Sequence, residues 1–183
     1  MIVSFTGSQS SGKSTLLNLA AKDEYFEHWH IVPEVTRVVK RMGFDINEIG
    51  TNETQLFILA EHLKNHHIRG DVMLDRCIVD GLVYTLYLCY NKQIDRWVEQ
   101  YARRLFETLT ERVDIIFYTD HNIPLVDDGE RSANKRFRDD IINIFNTVLR
   151  NPLISNKVVK LSGTIDERYL IFKQTIENEL KIR

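Results

Sequence analysis

The chain has 183 residues, 43% of them hydrophobic, which suits one compact domain with a substantial core. A formal net charge of −2 excludes an overall basic field that would draw in nucleic acid, while leaving room for a local basic groove. Cys77 and Cys89 lack C-x-x-C spacing and no stretch approaches a membrane span, so we expect reduced thiols, an N-terminal strand rather than a signal peptide, and a cytoplasmic protein.

With three prolines and eight glycines, the composition favours long helices around a short-stranded sheet. The apolar run "MIVSFT" predicts a buried strand, followed by the glycine-rich stretch "GSQSSGKST" and a helix to about Ala21. "HIVPE" predicts a second strand ending at Pro33 and Glu34, then a helix to about Met42 that buries Val35, Val38, Val39 and Met42. A helical pattern runs from about residue 52 to 69, with Leu56, Leu59, Ala60 and Leu63 on one face. "DVMLD" reads as the third strand, and Tyr84, Tyr87 and Tyr90 with Leu86 and Leu88 as a buried helix. "VDIIFYT" is the fourth strand and "NKVVKLS" the fifth, before a terminal helix from about Ile165. Between the last two strands, a polar stretch predicts a lid over about residues 120–138, then core-facing Phe137, Ile141, Ile144, Phe145 and Val148. The alternation predicts a three-layer α/β/α domain over residues 1–183, with a five-stranded parallel sheet.

Residues 7–15 fit G-x-x-x-x-G-K-[ST] between a predicted strand and a helix, the context that gives this motif its meaning. Gly7 and Gly12 permit close backbone approach, and the amides between them, including Ser10 and Ser11, form an anion nest at a helix N-terminus. Lys13 should reach the β- and γ-phosphates, and Ser14 should ligate Mg²⁺, with Thr15 the weaker alternative. The fold class is therefore a P-loop NTPase. Asp75 closes the third strand, where it can bind the metal directly or through water, and Arg76 can hold the acceptor or bridge the transferred group. Capping of the next helix is the plainer role for that pair, and Asp80 reads as solvated or structural.

Glu34 opens the second helix with Arg37 and Arg41 at i+3 and i+7, on one face. A carboxylate there can accept or orient the proton of an attacking hydroxyl, whereas a phosphate acceptor would need arginine forks instead. The sequence offers both. Arg131, Lys135 and Arg138 predict a cationic lid segment, with Arg131 and Arg138 the first choices to neutralise charge during transfer. His62 and His66 are spaced i,i+4 but are not H-E-x-x-H, so they read as a solvated face. His28, Trp29 and His30 read as core or rim.

Taken together, these motifs resemble small P-loop kinases, nearest to the AAA-domain family that includes the ribosylnicotinamide kinase domain of NadR-like proteins. "PE-x-x-R" appears as Pro33, Glu34 and Arg37, "DDG-x-R" as Asp127, Asp128, Gly129 and Arg131, and "SG-x-x-x-x-R" as Ser162, Gly163 and Arg168. Deoxynucleoside and nucleotide kinases are similar in arrangement. The resemblance implies ATP as donor, a nucleoside-like hydroxyl as acceptor, and Gly163 and Arg168 bordering the adenine. The leading expectation is an ATP- and Mg²⁺-dependent phosphotransferase acting on a hydroxyl of a nucleoside or modified nucleotide. A nucleoside monophosphate kinase, a kinase acting on a hydroxymethylated base in DNA, and a non-transferring NTPase or binding module remain as alternatives. Expected partners are small-molecule acceptors, with DNA not favoured, no membrane, and homo-oligomerisation open.

Overall fold

Alternation along the strands decides the layers. The computed structural model describes residues 1–119 and 134–182. In it, β1 (Ile2–Thr6) pairs in parallel with β3 (Val72–Asp75) on one side and β4 (Ile115–Thr119) on the other. β2 (His30–Val32) adds to β3 and β5 (Val158–Leu161) to β4, so the order is β2-β3-β1-β4-β5, all parallel. The five-stranded parallel sheet is as expected.

Successive strand residues face opposite ways. Val3, Phe5, Met73, Ile115 and Phe117 enter one core with Leu16 and Leu17 of α1 (Lys13–Ala20) and Phe172 and Ile176 of α7 (Ile165–Ile182). The Phe172 ring lies 5.0 Å from Phe5 and 5.1 Å from Phe117. The alternate residues Val72, Leu74, Ile116 and Tyr118 enter a second core. There they meet α3 (Asn52–Asn65), α4 (Ile78–Tyr90), α5 (Arg96–Leu109) and α6 (Lys135–Val148). Helices thus cover both faces, giving the three layers. In α5, which lies outside the strand–helix alternation read above, Val98, Ala102, Phe106 and Leu109 form a narrow buried seam. Its signal is spacing rather than apolar content.

Several expectations need correction. β2 stops at Val32 because Pro33 has no amide for the ladder, and Glu34 becomes the N-cap residue of α2 (Val35–Arg41). On α2 only Val35 and Val39 are buried; Val38 is 45% and Met42 56% exposed. The physical reason is that α2 rests on a small cluster with Ile58 of α3, flanked by Phe44, Ile46 and Phe57, which covers a single i,i+4 seam. On α3 the buried face is Thr54, Gln55, Ile58, Leu59, His62 and Asn65, while Ala60 and Leu63 turn outward. His62 and His66 are therefore core residues, 2% and 1% exposed, not a solvated face. Among the tyrosines of α4, Tyr90 is exposed. Cys77 and Cys89 are free thiols, and burial pushes Cys77 up to about 12. Among the described residues no helix is long and apolar enough to cross a membrane.

Candidate active site

Because the strands are parallel, their carboxyl ends share one edge of the sheet. From β1 the chain passes to the outer strand β2, returns to β3 beside β1, and then crosses to β4 on the other side of β1, so the loops after β1, β2 and β3 converge at a switch point. The turn after β1 is the glycine-rich loop. Gly7 has φ +139, and a Cβ there would stand 2.8 Å from Thr119 Oγ1 and 3.0 Å from the Thr119 carbonyl oxygen. Only glycine lets the loop lie against the end of β4. Gly12, with φ 87, turns the chain into α1.

The loop is held from two sides. Ser11 Oγ shares a 2.6 Å hydrogen bond with Thr119 Oγ1, and Arg168 of α7 donates from Nη1 to the Ser11 carbonyl at 3.1 Å and from Nε to Gly163 at 2.8 Å. Lys13 Nζ donates to the carbonyls of Gly7 and Ser8 at 2.9 and 2.7 Å and to Ser11 Oγ at 3.1 Å. Burial, helped by the nearby Arg76 charge, lowers the Lys13 ammonium to about 7. A polyphosphate in the loop would restore its usual basicity by opposite charge.

Ser14 Oγ donates to Asp75 Oδ2 at 2.9 Å, joining α1 to the end of β3. Among the described residues the buried Asp75 Oδ1 has no hydrogen-bond partner. Burial and the neighbouring Glu34 charge raise the Asp75 carboxyl above its usual range. A leftover carboxylate oxygen beside a hydroxyl is a hard-donor pair of the kind a divalent cation such as Mg²⁺ takes. Thr15 is exposed.

Arg76 is the hub. Its Nε donates to Glu34 Oε1 at 2.5 Å, and its Nη1 donates to Asp80 Oδ1 at 2.9 Å and to the Gly7 carbonyl at 3.1 Å. Its guanidinium carbon lies 5.2 Å from the Tyr84 ring centroid. The backbone here is left-handed, with φ 76, a conformation costing about 1–3 kcal/mol in a non-glycine residue. Asp80 also accepts from Thr6 Oγ1 at 2.7 Å and from the Cys77 amide at 3.2 Å. Burial alone would raise the Glu34 carboxyl, but the charges of Arg76 and Lys13 and hydrogen bonds from Arg76 and Thr36 hold it well below the usual range. Glu34 is thus an ionised carboxylate, with Oε2 only 3.5 Å from Arg37 Nε.

Glu34 borders four adjoining hollows. One is the small recess of the phosphate loop, lined by Ser10, Ser11, Gly12, Lys13 and Ser14. A second, of about 190 Å³, carries Ser14, Asn18, Pro33 and Asp75. The largest is a cleft of about 290 Å³ lined by Gln9, Thr36, Arg37, Lys40, Arg41 and Asn47. A narrow extension runs beneath it past Gln55, Ile58, His62 and Tyr84 to Gly81. There a Cβ on Gly81 would stand 3.0 Å from His62 Cδ2 and 3.2 Å from Leu59 Cδ2.

The structure therefore brings together Lys13, Ser14, Glu34, Asp75 and Arg76, with Arg37 and Arg41 on the cleft wall and Arg168 on the loop. Arg138 is buried in α6, Arg136 is exposed, and Lys135 pairs with Asp139 at 2.8 Å. Arg131, Asp127, Asp128 and Gly129 lie outside the described residues, as does most of the expected lid. Sequence reasoning missed Lys40 and Gln9 as cleft residues, and gave Asp80 too little weight. The signal for Asp80 was available: with Cys77 it forms a capping box at the start of α4.

A family model described as AAA domain matches residues 2–168. A search of curated protein sequences found no match. Among solved structures, the NadR protein in complex with NAD and AMP-PNP is similar, with TM-score 0.67 and 20% identity over 93% of this chain and 47% of that one. This chain thus spans about half the length of NadR. Deoxyadenosine kinase from M. mycoides, with dCMP and dCDP bound, gives TM-score 0.69 at 10% identity, covering 97% of this chain and 99% of that one. Thymidylate kinase from Candida albicans gives 0.60 at 16% identity, covering 97% and 91%. At such identities the likeness is one of fold, and the fold is that of the P-loop kinases. With its family model spanning residues 2–168 of 183, the chain belongs to the AAA-domain family.

Proposed function

We propose that this chain is an ATP- and Mg²⁺-dependent phosphotransferase that moves a γ-phosphoryl group to a hydroxyl of a nucleoside or modified nucleotide. The observation that carries the reading is the Glu34 carboxylate, which borders both the phosphate-loop recess and the 290 Å³ cleft. A hydroxyl in that cleft would approach the phosphoryl group beside this carboxylate and Arg76. Held ionised by Arg76, Glu34 is a weak base that keeps lone pairs for orienting a hydroxyl. That suits phosphoryl transfer, whose loose transition state rewards orientation of the nucleophile more than early proton removal. Lys13 and the loop amides would bear the phosphate charge. Ser14 and Asp75 would hold Mg²⁺, which supplies charge neutralisation on the phosphates. Arg76 positions Glu34, and Asp80 fixes Arg76.

Labelled ATP offered with nucleosides and nucleoside monophosphates tests this directly. Glu34→Gln should lower kcat by roughly tenfold or more for a hydroxyl acceptor. Transfer only to phosphate groups, with Glu34→Gln near wild type, would overturn it. That outcome belongs to the second reading, a nucleoside monophosphate kinase, which the Arg37, Lys40 and Arg41 side of the cleft favours.

A further inference from the structure

Gln9 sits third in the phosphate loop, where the motif fixes no residue type. It is 4% exposed and lines the same cleft as Glu34, Arg37 and Asn47. Among the described residues neither its Nε2 nor its Oε1 has a hydrogen-bond partner. Since both atoms are orphaned, the argument does not depend on which is which. A buried carboxamide with an unused donor and an unused acceptor is costly unless water or a ligand completes it. A ligand that enters this cleft and displaces water must replace both bonds. Lys13, in the same loop, is by contrast fully engaged by its neighbours.

We infer that Gln9 is a specificity-determining residue that reads a vicinal diol on the acceptor, so that ribose-bearing acceptors are preferred over deoxyribose ones. Two chemical facts select this ligand. A phosphate offers acceptors only and would satisfy the amide nitrogen but not the oxygen, whereas neighbouring hydroxyls both donate and accept. Gln9 also belongs to the loop that holds the transferring group, and the attacked oxygen must come within about 3–3.5 Å of it. The part of a nucleoside within a side chain's length of that point is the sugar, with the base extending away. Reading of hydroxyls by groups that would otherwise stay unpaired gives steep discrimination against analogues that lack them.

The inference rests on the proposed phosphotransfer, and the test separates the two. The common ribonucleosides and their 5′-monophosphates are compared with their 2′-deoxy and 3′-deoxy counterparts as acceptors, with kcat/KM measured for each. The expected wild-type preference for the diol is about tenfold or more. Gln9→Leu should bring that ratio close to one. General distortion of the loop would lower both acceptors alike and leave the ratio intact, which overturns the assignment, as does a wild-type ratio near one. If no acceptor is phosphorylated, the proposed function fails instead. Calorimetric binding of ribonucleosides and 2′-deoxynucleosides to the wild-type protein then decides Gln9: equal affinities overturn it, and a preference for the diol supports it.

Discussion

The phosphate loop is clasped from both sides, by Thr119 at the end of β4 and by Arg168 of α7, while α2, the wall of the proposed acceptor cleft, rests on the buried apolar residues Val35, Val39 and Ile58. One region is tied to the centre of the sheet and to the layer of α1 and α7. The other is a short helix on a satellite cluster, beside an edge strand of three residues. Local opening costs least where buried contacts are few. The difference teaches that the phosphate-loop half is pre-organised, and that the proposed acceptor half is where opening and closing come cheaply.

The largest effect expected is at Lys13. Lys13→Ala should reduce phosphoryl transfer by roughly 10³-fold, as loss of a preorganised charge does. The folded state should persist, because Thr119 and Arg168 still hold the loop. A melting temperature collapsing with the activity would break the contrast between a clasped loop and a loose wall. Val39→Ala should come next, removing roughly 2 kcal/mol of packing beneath α2. KM for the acceptor should rise several-fold and hydrogen exchange should quicken in α2, with KM for ATP little changed. Equal shifts in both KM values would mean that the halves are mechanically one.

The smallest effect is one of pH. Burial holds the His62 and His66 rings neutral, lowering them to about 3 and about 4. The unfolded chain takes up those protons below about 6.5, so stability is full above that pH and is lost as pH falls. By pH 5.5 each ring should cost about 1 kcal/mol. Because both lie at the α3 end of the acceptor side, amide exchange there should quicken before exchange in β1 or β4. A melting temperature unchanged between pH 7 and 5.5 would return these histidines to the solvent.

How much of this could be read beforehand follows from the physics of each region. The loop was legible because close approach to phosphate demands glycine at fixed positions and a lysine and hydroxyl after them. The strands were legible as apolar runs, and Glu34, Asp75 and Arg76 because strand ends are where such chemistry gathers. The acceptor side was not, because its interior is polar. Apolar periodicity chose Ala60 and Leu63 on α3, yet the buried places went to Thr54, Gln55, His62 and Asn65. These side chains find partners only in three dimensions: Thr85 donates to Gln55 Oε1 at 3.1 Å, and the Thr54 hydroxyl donates to the Asp45 carbonyl at 2.8 Å. Asp80 was legible in part: its local partners Cys77 and Arg76 lie three and four residues before it, and only the distant Thr6 needed the fold.

The crossing of α3 over α4 at Gly81 also constrains the order in which mutations can accumulate. Alanine is ordinarily preferred to glycine inside a helix by about 1 kcal/mol. Here its methyl group would press on the His62 ring and a Leu59 methyl until both shifted by a few tenths of an ångström. In an evolving lineage the exchange at position 81 is therefore coupled to position 62: a smaller side chain there eases it, and once alanine stands at 81 a return to histidine at 62 meets the same contact.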